Sequence, residues 1–227
     1  MSSSAKSRLM ATVVAAAPAV FLAALVAHPH LPGRLPNNAA VAAAVLADPG
    51  HWGLTHLAGG AASGLIAVAF LFVRSHLRAA GEDRWSGPAL VFIILGSTLY
   101  TILFGMEFAP MAAVVSGADA EAAQAALGPW FVPILFSAGL VFAVGALGFA
   151  AGVVRSGVLA PSIAALVAAA LVVMAASRLV PFAVVQFHVQ GLAALAALWP
   201  LAAVMWKAPA ESGHHPSVHH ELAGSAS

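Results

Sequence analysis

The chain has 227 residues, of which 62% are apolar and 7% are Asp, Glu, Lys or Arg, against about a quarter charged in a soluble domain. Water is therefore not its main solvent, and a formal net charge of +1 with no basic stripe or glycine-rich phosphate loop argues against nucleic acid and nucleotides as ligands. The absence of cysteine excludes disulfides, iron–sulfur clusters and thiolate chemistry.

In chain order, apolar runs occupy residues 9–27, 52–73, 87–108, 130–154, 158–176 and 183–206. Each is close to the ~20 residues that cross a hydrocarbon core of roughly 30 Å. Apolar side chains cover the whole helical circumference of each run, as expected when lipid or other apolar helices surround it. Backbone groups in lipid must pair within their own segment, so the runs are helices. The expected architecture is an all-α integral membrane protein with the bilayer as its partner. Residues 1–208 form a six-span bundle with two short helical outer loops, and residues 209–227 a flexible His-rich cytoplasmic tail.

Charge asymmetry orients the bundle. Lys6 and Arg8, then Arg74, Arg78 and Arg84, then Arg155 and Lys207 all fall on one side, whereas Arg34 and Arg178 fall on the other. The positive-inside rule puts both termini in the cytoplasm of a plasma (inner) membrane protein. Trp52, Trp85, Trp130 and Trp206 stand at span ends, where an amphipathic ring prefers the interface. The first run has a second reading as a cleaved signal peptide, since Lys6 and Arg8 precede an apolar stretch ending at Leu25-Val26-Ala27.

Two longer connections lie outside. Residues 28–50 hold a Pro-rich stretch, then Asn38 as N-cap of a short Ala-Val helix ended by Asp48-Pro49-Gly50. Residues 116–129 hold a second short helix, 118–127, stopped by Gly128-Pro129. The three inward-running spans end in similar cations, and counting back from them brings His56, Ser137 and His188 to comparable depth, a pattern that three related hairpins would leave.

Ionisable residues inside spans are costly and are default functional candidates. His56, Glu107 and His188 all fall in the outer third of the bilayer. His56-Leu-Ala-Gly59 and His188-Val-Gln-Gly191 share the form His-x-x-Gly, which sets a glycine beside each imidazole on one helical face. Such clearance suits a haem b ligated by His56 and His188 with Gly59 and Gly191 beside it. Two histidines and Glu107 would instead form the ligand set of an open non-haem metal site. The competing structural reading makes these histidines capped polar residues, the glycines packing contacts (Gly60 and Gly64 form a Gly-xxx-Gly pair), and Glu107 a partner of Arg178. Tyr100, seven residues before Glu107, together with Arg178, Gln186 and Gln190, extends the polar outer cluster. His28, His30 and His51 read as solvated loop residues that could add to an outer metal site. His214, His215, His219 and His220 form a loose metal-capturing tail or a plain polar end.

The inner halves of the spans offer no polar path, which argues against a carrier of hydrophilic solutes. The leading expectation is an outward-facing His/Glu pocket that binds haem or a metal and serves electron transfer or oxidation of an apolar substrate. An accessory or assembly subunit, working through a membrane protein partner or a second copy of itself, is the alternative. A small transporter of a lipophilic solute is the third reading.

Overall fold

The computed structural model describes residues 3–207, which form eight α-helices: α1 (Ser3–Val26), α2 (Asn38–Ala47), α3 (Pro49–Ala79), α4 (Ser86–Met106), α5 (Phe108–Val115), α6 (Ala120–Ser156), α7 (Pro161–Ser177) and α8 (Gln190–Lys207), the last preceded by a single π-helical turn, Val185–Val189. Among the described residues there is no strand, only an isolated bridge between Arg34 and Phe182. Five helical stretches are long and apolar enough to cross a bilayer: Ser4–Val26, Pro49–Ala79, Ser86–Val115, Ala120–Ser156 and Val185–Lys207. Helix α7, grown from the fifth apolar run, has 17 residues and measures about 25 Å at 1.5 Å per residue, less than the other five.

Local chemistry explains most boundaries. Asn37, not Asn38, caps α2, its side chain accepting from the Ala40 N–H at 3.2 Å. Asp48 ends α2 and caps α3 at once by accepting from the His51 N–H at 2.8 Å, with Pro49 in the first helical turn where its missing N–H costs nothing. Helix α4 stops at Met106 because Pro110 has no N–H for that carbonyl and its ring crowds the preceding turn. The chain resumes as α5 after Glu107, a helix absent from the sequence expectation.

The expected stop at Gly128-Pro129 does not occur. Asp119 caps a helix that runs unbroken through Pro129 and Pro133 to Ser156, 37 residues or about 55 Å. Proline in a long apolar helix is tolerated where neighbouring groups re-satisfy the freed carbonyls. The first ten or so residues of α6 thus continue the long helix beside α2 and α5 instead of forming the separate short helix expected.

The helices α1, α3, α4, α6, α7 and α8 close into a ring in which each packs on the next and α8 returns to α1. Phe70 of α3 fills the middle, edge-on to Phe149 at 4.8 Å and to Phe142 at 6.1 Å between ring centroids. The tightest seam joins α4 to α6. A Cβ at Gly96 would lie 2.7 Å from the Phe142 backbone nitrogen, and one at Gly145 would lie 2.8 Å from that of Ile93. Small residues here let two backbones touch, which is how helices gain contact where lipid is as apolar as the partner. Ser7 and Trp199 tie the ends of the ring, donating to the carbonyls of Met205 and Ala15.

A graded glycine series tests this seam. Gly96→Ala and Gly145→Ala should each destabilise by about 1–3 kcal/mol through overpacking against backbone. Gly64→Ala, with nothing within 4 Å of the added carbon, should be neutral or stabilise by up to about 1 kcal/mol. Thermal melts in mild detergent read the ranking, and equal behaviour of the three variants would contradict the seam.

Candidate functional site

One end of the ring carries a cavity of about 80 Å³ beneath the α1–α2 connection. Its polar lining is His28, Asn37, His56, Tyr100, Glu107, Gln124 and Gln186, set among Trp52, Phe104, Phe131 and Phe187. A wider, more polar hollow of about 390 Å³ between the start of α2 and the outer part of α6 shares Pro36, Asn37, Gln124 and Phe131 with it, and so forms its mouth.

Trp52 organises the chamber. It is fully buried, and its indole N–H donates to the Glu107 backbone carbonyl at 2.9 Å, joining α3 to the break between α4 and α5. The Trp52 carbonyl accepts from His56 Nδ1 at 2.7 Å, and its ring lies against the His56 imidazole at 4.3 Å. His56 is thereby held from two directions, with Phe104 edge-on at 5.9 Å on a third.

The partner that meets His56 is His28, from the connection after α1. The two Nε2 atoms are 3.2 Å apart, and His28 Nδ1 lies 2.8 Å from the Pro29 carbonyl oxygen. Phe187 packs on the His28 ring at 4.5 Å and Trp52 at 5.3 Å. Burial pushes the His28 pKa down from 6.5 to about 4, against a smaller upward pull from the hydrogen bond to Pro29 and with a further lowering from His51. His28 is therefore neutral at pH 7. The connection is fixed from the far side, since the Leu35 N–H donates to the Pro181 carbonyl at 3.0 Å.

His188 does not join them. It is exposed and absent from the cavity lining. Gln186 and Gln190 are the buried residues there, and a residue two positions from each lies on the opposite side of a helix. Ser137 is exposed as well, so the three positions matched by counting back from the cations have unlike surroundings. Nor are the glycines clearance for a ligand. A Cβ at Gly59 would lie 2.5 Å from Phe104, and one at Gly191 2.5 Å from Leu22 of α1. Both are packing positions. Gly60 approaches α4 whereas Gly64 faces open space, so the Gly-xxx-Gly pair is not one contact surface.

A haem fails on these grounds. The cavity is well under the ~300–1,000 Å³ of ordinary small-molecule pockets, and its second axial histidine points away. Among the described residues no group of three His, Asp or Glu stands close enough to hold a metal, so the His56, Glu107 and His188 set is not assembled. The four tail histidines, His214 to His220, lie outside the described residues.

Glu107 and Arg178 do not pair among the described residues. Glu107 Oε1 accepts from Gln124 Nε2 at 3.1 Å, while Glu107 Oε2 and Gln124 Oε1 have no hydrogen-bond partner although both residues are more than nine-tenths buried. Arg178 is buried too, its guanidinium over the rings of Phe142 at 3.7 Å and Tyr100 at 4.3 Å. With the Gln190 amide turned to satisfy its neighbours, its oxygen accepts from Arg178 Nε at 2.9 Å and its nitrogen donates to the Gln186 carbonyl at 2.7 Å. Tyr100, Arg178, Gln186 and Gln190 thus form one connected polar wall behind the chamber.

Gln124 is the residue sequence reasoning left out, whereas Trp52 was read as an interfacial ring and His28 as a solvated loop residue that could add to an outer metal site. Gln124 carried a signal, because with Ala120 and Leu127 it shares one face of an alanine-rich helix. No protein family, curated protein or solved structure matches the chain, so its functional reading rests on this geometry.

Trp52→Phe should cost about 1–3 kcal/mol, from the lost indole hydrogen bond and the void left behind. Trp85→Phe, at a ring that is 37% exposed, should cost under about 1 kcal/mol. Paired melts in detergent check this, and equal losses would remove Trp52 from its central place.

Proposed function

We propose that the chain is a six-span protein of the plasma membrane with both termini cytoplasmic, whose outer chamber binds the polar end of an apolar substrate. The observation that carries this reading is the pair of unpartnered, buried oxygens, Glu107 Oε2 and Gln124 Oε1, in an aromatic cavity with a polar mouth. An unmet buried acceptor costs about 1–3 kcal/mol, and a ligand donor or water at that place removes the cost. The cavity admits a few water molecules or one small polar group. The remainder of a longer ligand lies in the mouth or among the lipid chains.

Burial of Arg178 supports the orientation. It leaves Arg34 as the Lys or Arg side chain of the outer connections among the described residues, against Arg74, Arg78, Arg84 and Arg155 at the other end. There Arg74 pairs with Asp83 at 2.8 Å, and Arg84 and Arg155 flank the Trp85 ring at 5.7 and 4.8 Å, an arrangement suited to a headgroup interface. Helix α7 is the sixth span, its 17 residues lying at the short end of the ~17–25 that cross a bilayer.

Both parts are open to experiment. The chain has no cysteine, so Ala118→Cys and Ala80→Cys report topology without background. A membrane-impermeant maleimide on intact cells should label Ala118→Cys and spare Ala80→Cys until the membrane is opened; the reverse pattern inverts the orientation. For the chamber, native mass spectrometry of protein in mild detergent should show a bound small molecule on the wild type and the His188→Ala variant. Glu107→Leu and Gln124→Leu should lose it. An adduct-free wild type, or identical adducts on all four, contradicts the reading, and a stoichiometric second protein in its place favours an assembly subunit.

A further inference from the structure

The histidine pair at the floor of the chamber has a proton deficit that can be counted. His56 Nδ1 lies 2.7 Å from the Trp52 carbonyl oxygen and His28 Nδ1 lies 2.8 Å from that of Pro29. A carbonyl oxygen only accepts, so each Nδ1 must carry the hydrogen. A neutral imidazole has one N–H, so both Nε2 atoms are left as bare lone pairs. Those two atoms nevertheless face each other at 3.2 Å. Two acceptors at that separation repel, and the contact needs a positive centre to which both can point.

We infer that a divalent late first-row transition-metal ion is bound between Nε2 of His28 and Nε2 of His56. The spacing is right for one. Two nitrogens ~2.0–2.1 Å from a common ion stand about 2.8–3.4 Å apart for angles between a right angle and the tetrahedral value. The outer surroundings are right as well. Metal-binding histidines as a rule donate their other N–H to a carbonyl or carboxylate, which fixes ring and tautomer, and here both do so. Trp52, Phe104 and Phe187 hold the rings in place, so little side-chain entropy is lost on binding. Imidazole nitrogen selects Zn(II), Fe(II), Cu(II) or Ni(II) over Mg(II) and Ca(II).

Two protein ligands leave coordination positions open, unlike the closed four-ligand shell of a structural site. Water, or the polar end of the ligand placed in this chamber, completes the shell, with the free oxygens of Glu107 and Gln124 lining the same cavity. The metal site deepens the ligand reading without depending on it: a metal could bind with no ligand, and a ligand with no metal.

The test uses the full-length chain with His214, His215, His219 and His220 replaced by Ala, so that the tail binds nothing, purified in mild detergent through a tag without histidine. After stripping with EDTA, Co(II) is titrated in and followed by its visible d–d absorption, with metal content read by mass spectrometry. One equivalent per chain is expected, displaced by Zn(II). His28→Ala and His56→Ala should each weaken it at least tenfold, while His30→Ala, His51→Ala and His188→Ala leave it unchanged. His28 lies in a connection outside the helices, so its variant decides the matter even where His56→Ala does not fold. Absence of a bound equivalent, or Co(II) binding of wild-type strength in His28→Ala, overturns the site. Native mass spectra of the same samples separate this outcome from loss of the chamber ligand.

Discussion

The chamber end of this bundle depends on how Trp52 satisfies polar groups buried inside it. Its indole N–H reaches the Glu107 carbonyl where α4 breaks, and its own carbonyl takes the Nδ1 hydrogen of His56. Each bond adds only about 0.5–1.5 kcal/mol net, as does the ring contact with His56. Their larger effect is geometric. They set the start of α3, the break after α4 and the direction of one imidazole relative to each other, and the chamber is the space those three define. His28 then meets His56 because the Pro-rich connection is held down at Leu35.

Beneath this outer layer the bundle is built differently. Glycine and alanine let α4 and α6 approach to backbone contact, and aromatic rings at Phe70, Phe142 and Phe149 fill the middle of the ring. The hydroxyls along this part are used between and within helices: Ser63 donates to the Ser97 carbonyl, and Thr101 to the carbonyls of Gly60 and Ser97. The chamber's polar groups therefore stand on a closely packed, largely apolar support. Such a support holds side chains in fixed rotamers, which a site for ligand or metal needs.

Much of the architecture could be read from the chain, because lipid imposes a strong rule: apolar runs of spanning length must be helices. Of the site, His56, Glu107, Tyr100, Gln186 and the buried Arg178 were legible as ionisable or polar residues in apolar surroundings. The pairing of histidines was not. Matching depths suggested His188, but depth ignores azimuth, and Gln186 and Gln190 already claimed the inward face that His188 cannot share. His28 sits in a loop whose path depends on contacts with residues about 150 positions later, which no local pattern encodes. Trp52 looked interfacial because it begins a span. It is buried because the α1–α2 connection, α2 and α5 close over it, with Leu31, Val41, Val45, Met111 and Val114 in its cluster, and α5 had no place in the expected fold. Gly59 and Gly191 were read as clearance beside a cofactor, whereas the groups that lie against them are Phe104 and Leu22.

The inferred metal site requires one tautomer on both rings: with the carbonyls at Trp52 and Pro29 taking the Nδ1 hydrogens, two neutral imidazoles keep bare Nε2 atoms that face each other at 3.2 Å. Nitrogen-15 NMR of histidine-labelled, metal-stripped protein in detergent at neutral pH measures this tautomer directly, with single-histidine variants assigning the signals. His28 and His56 should each show a protonated Nδ1 and a bare Nε2, and both Nε2 signals should shift together when one equivalent of Zn(II) is added. A protonated Nε2 on either ring would supply the missing hydrogen and would contradict the account.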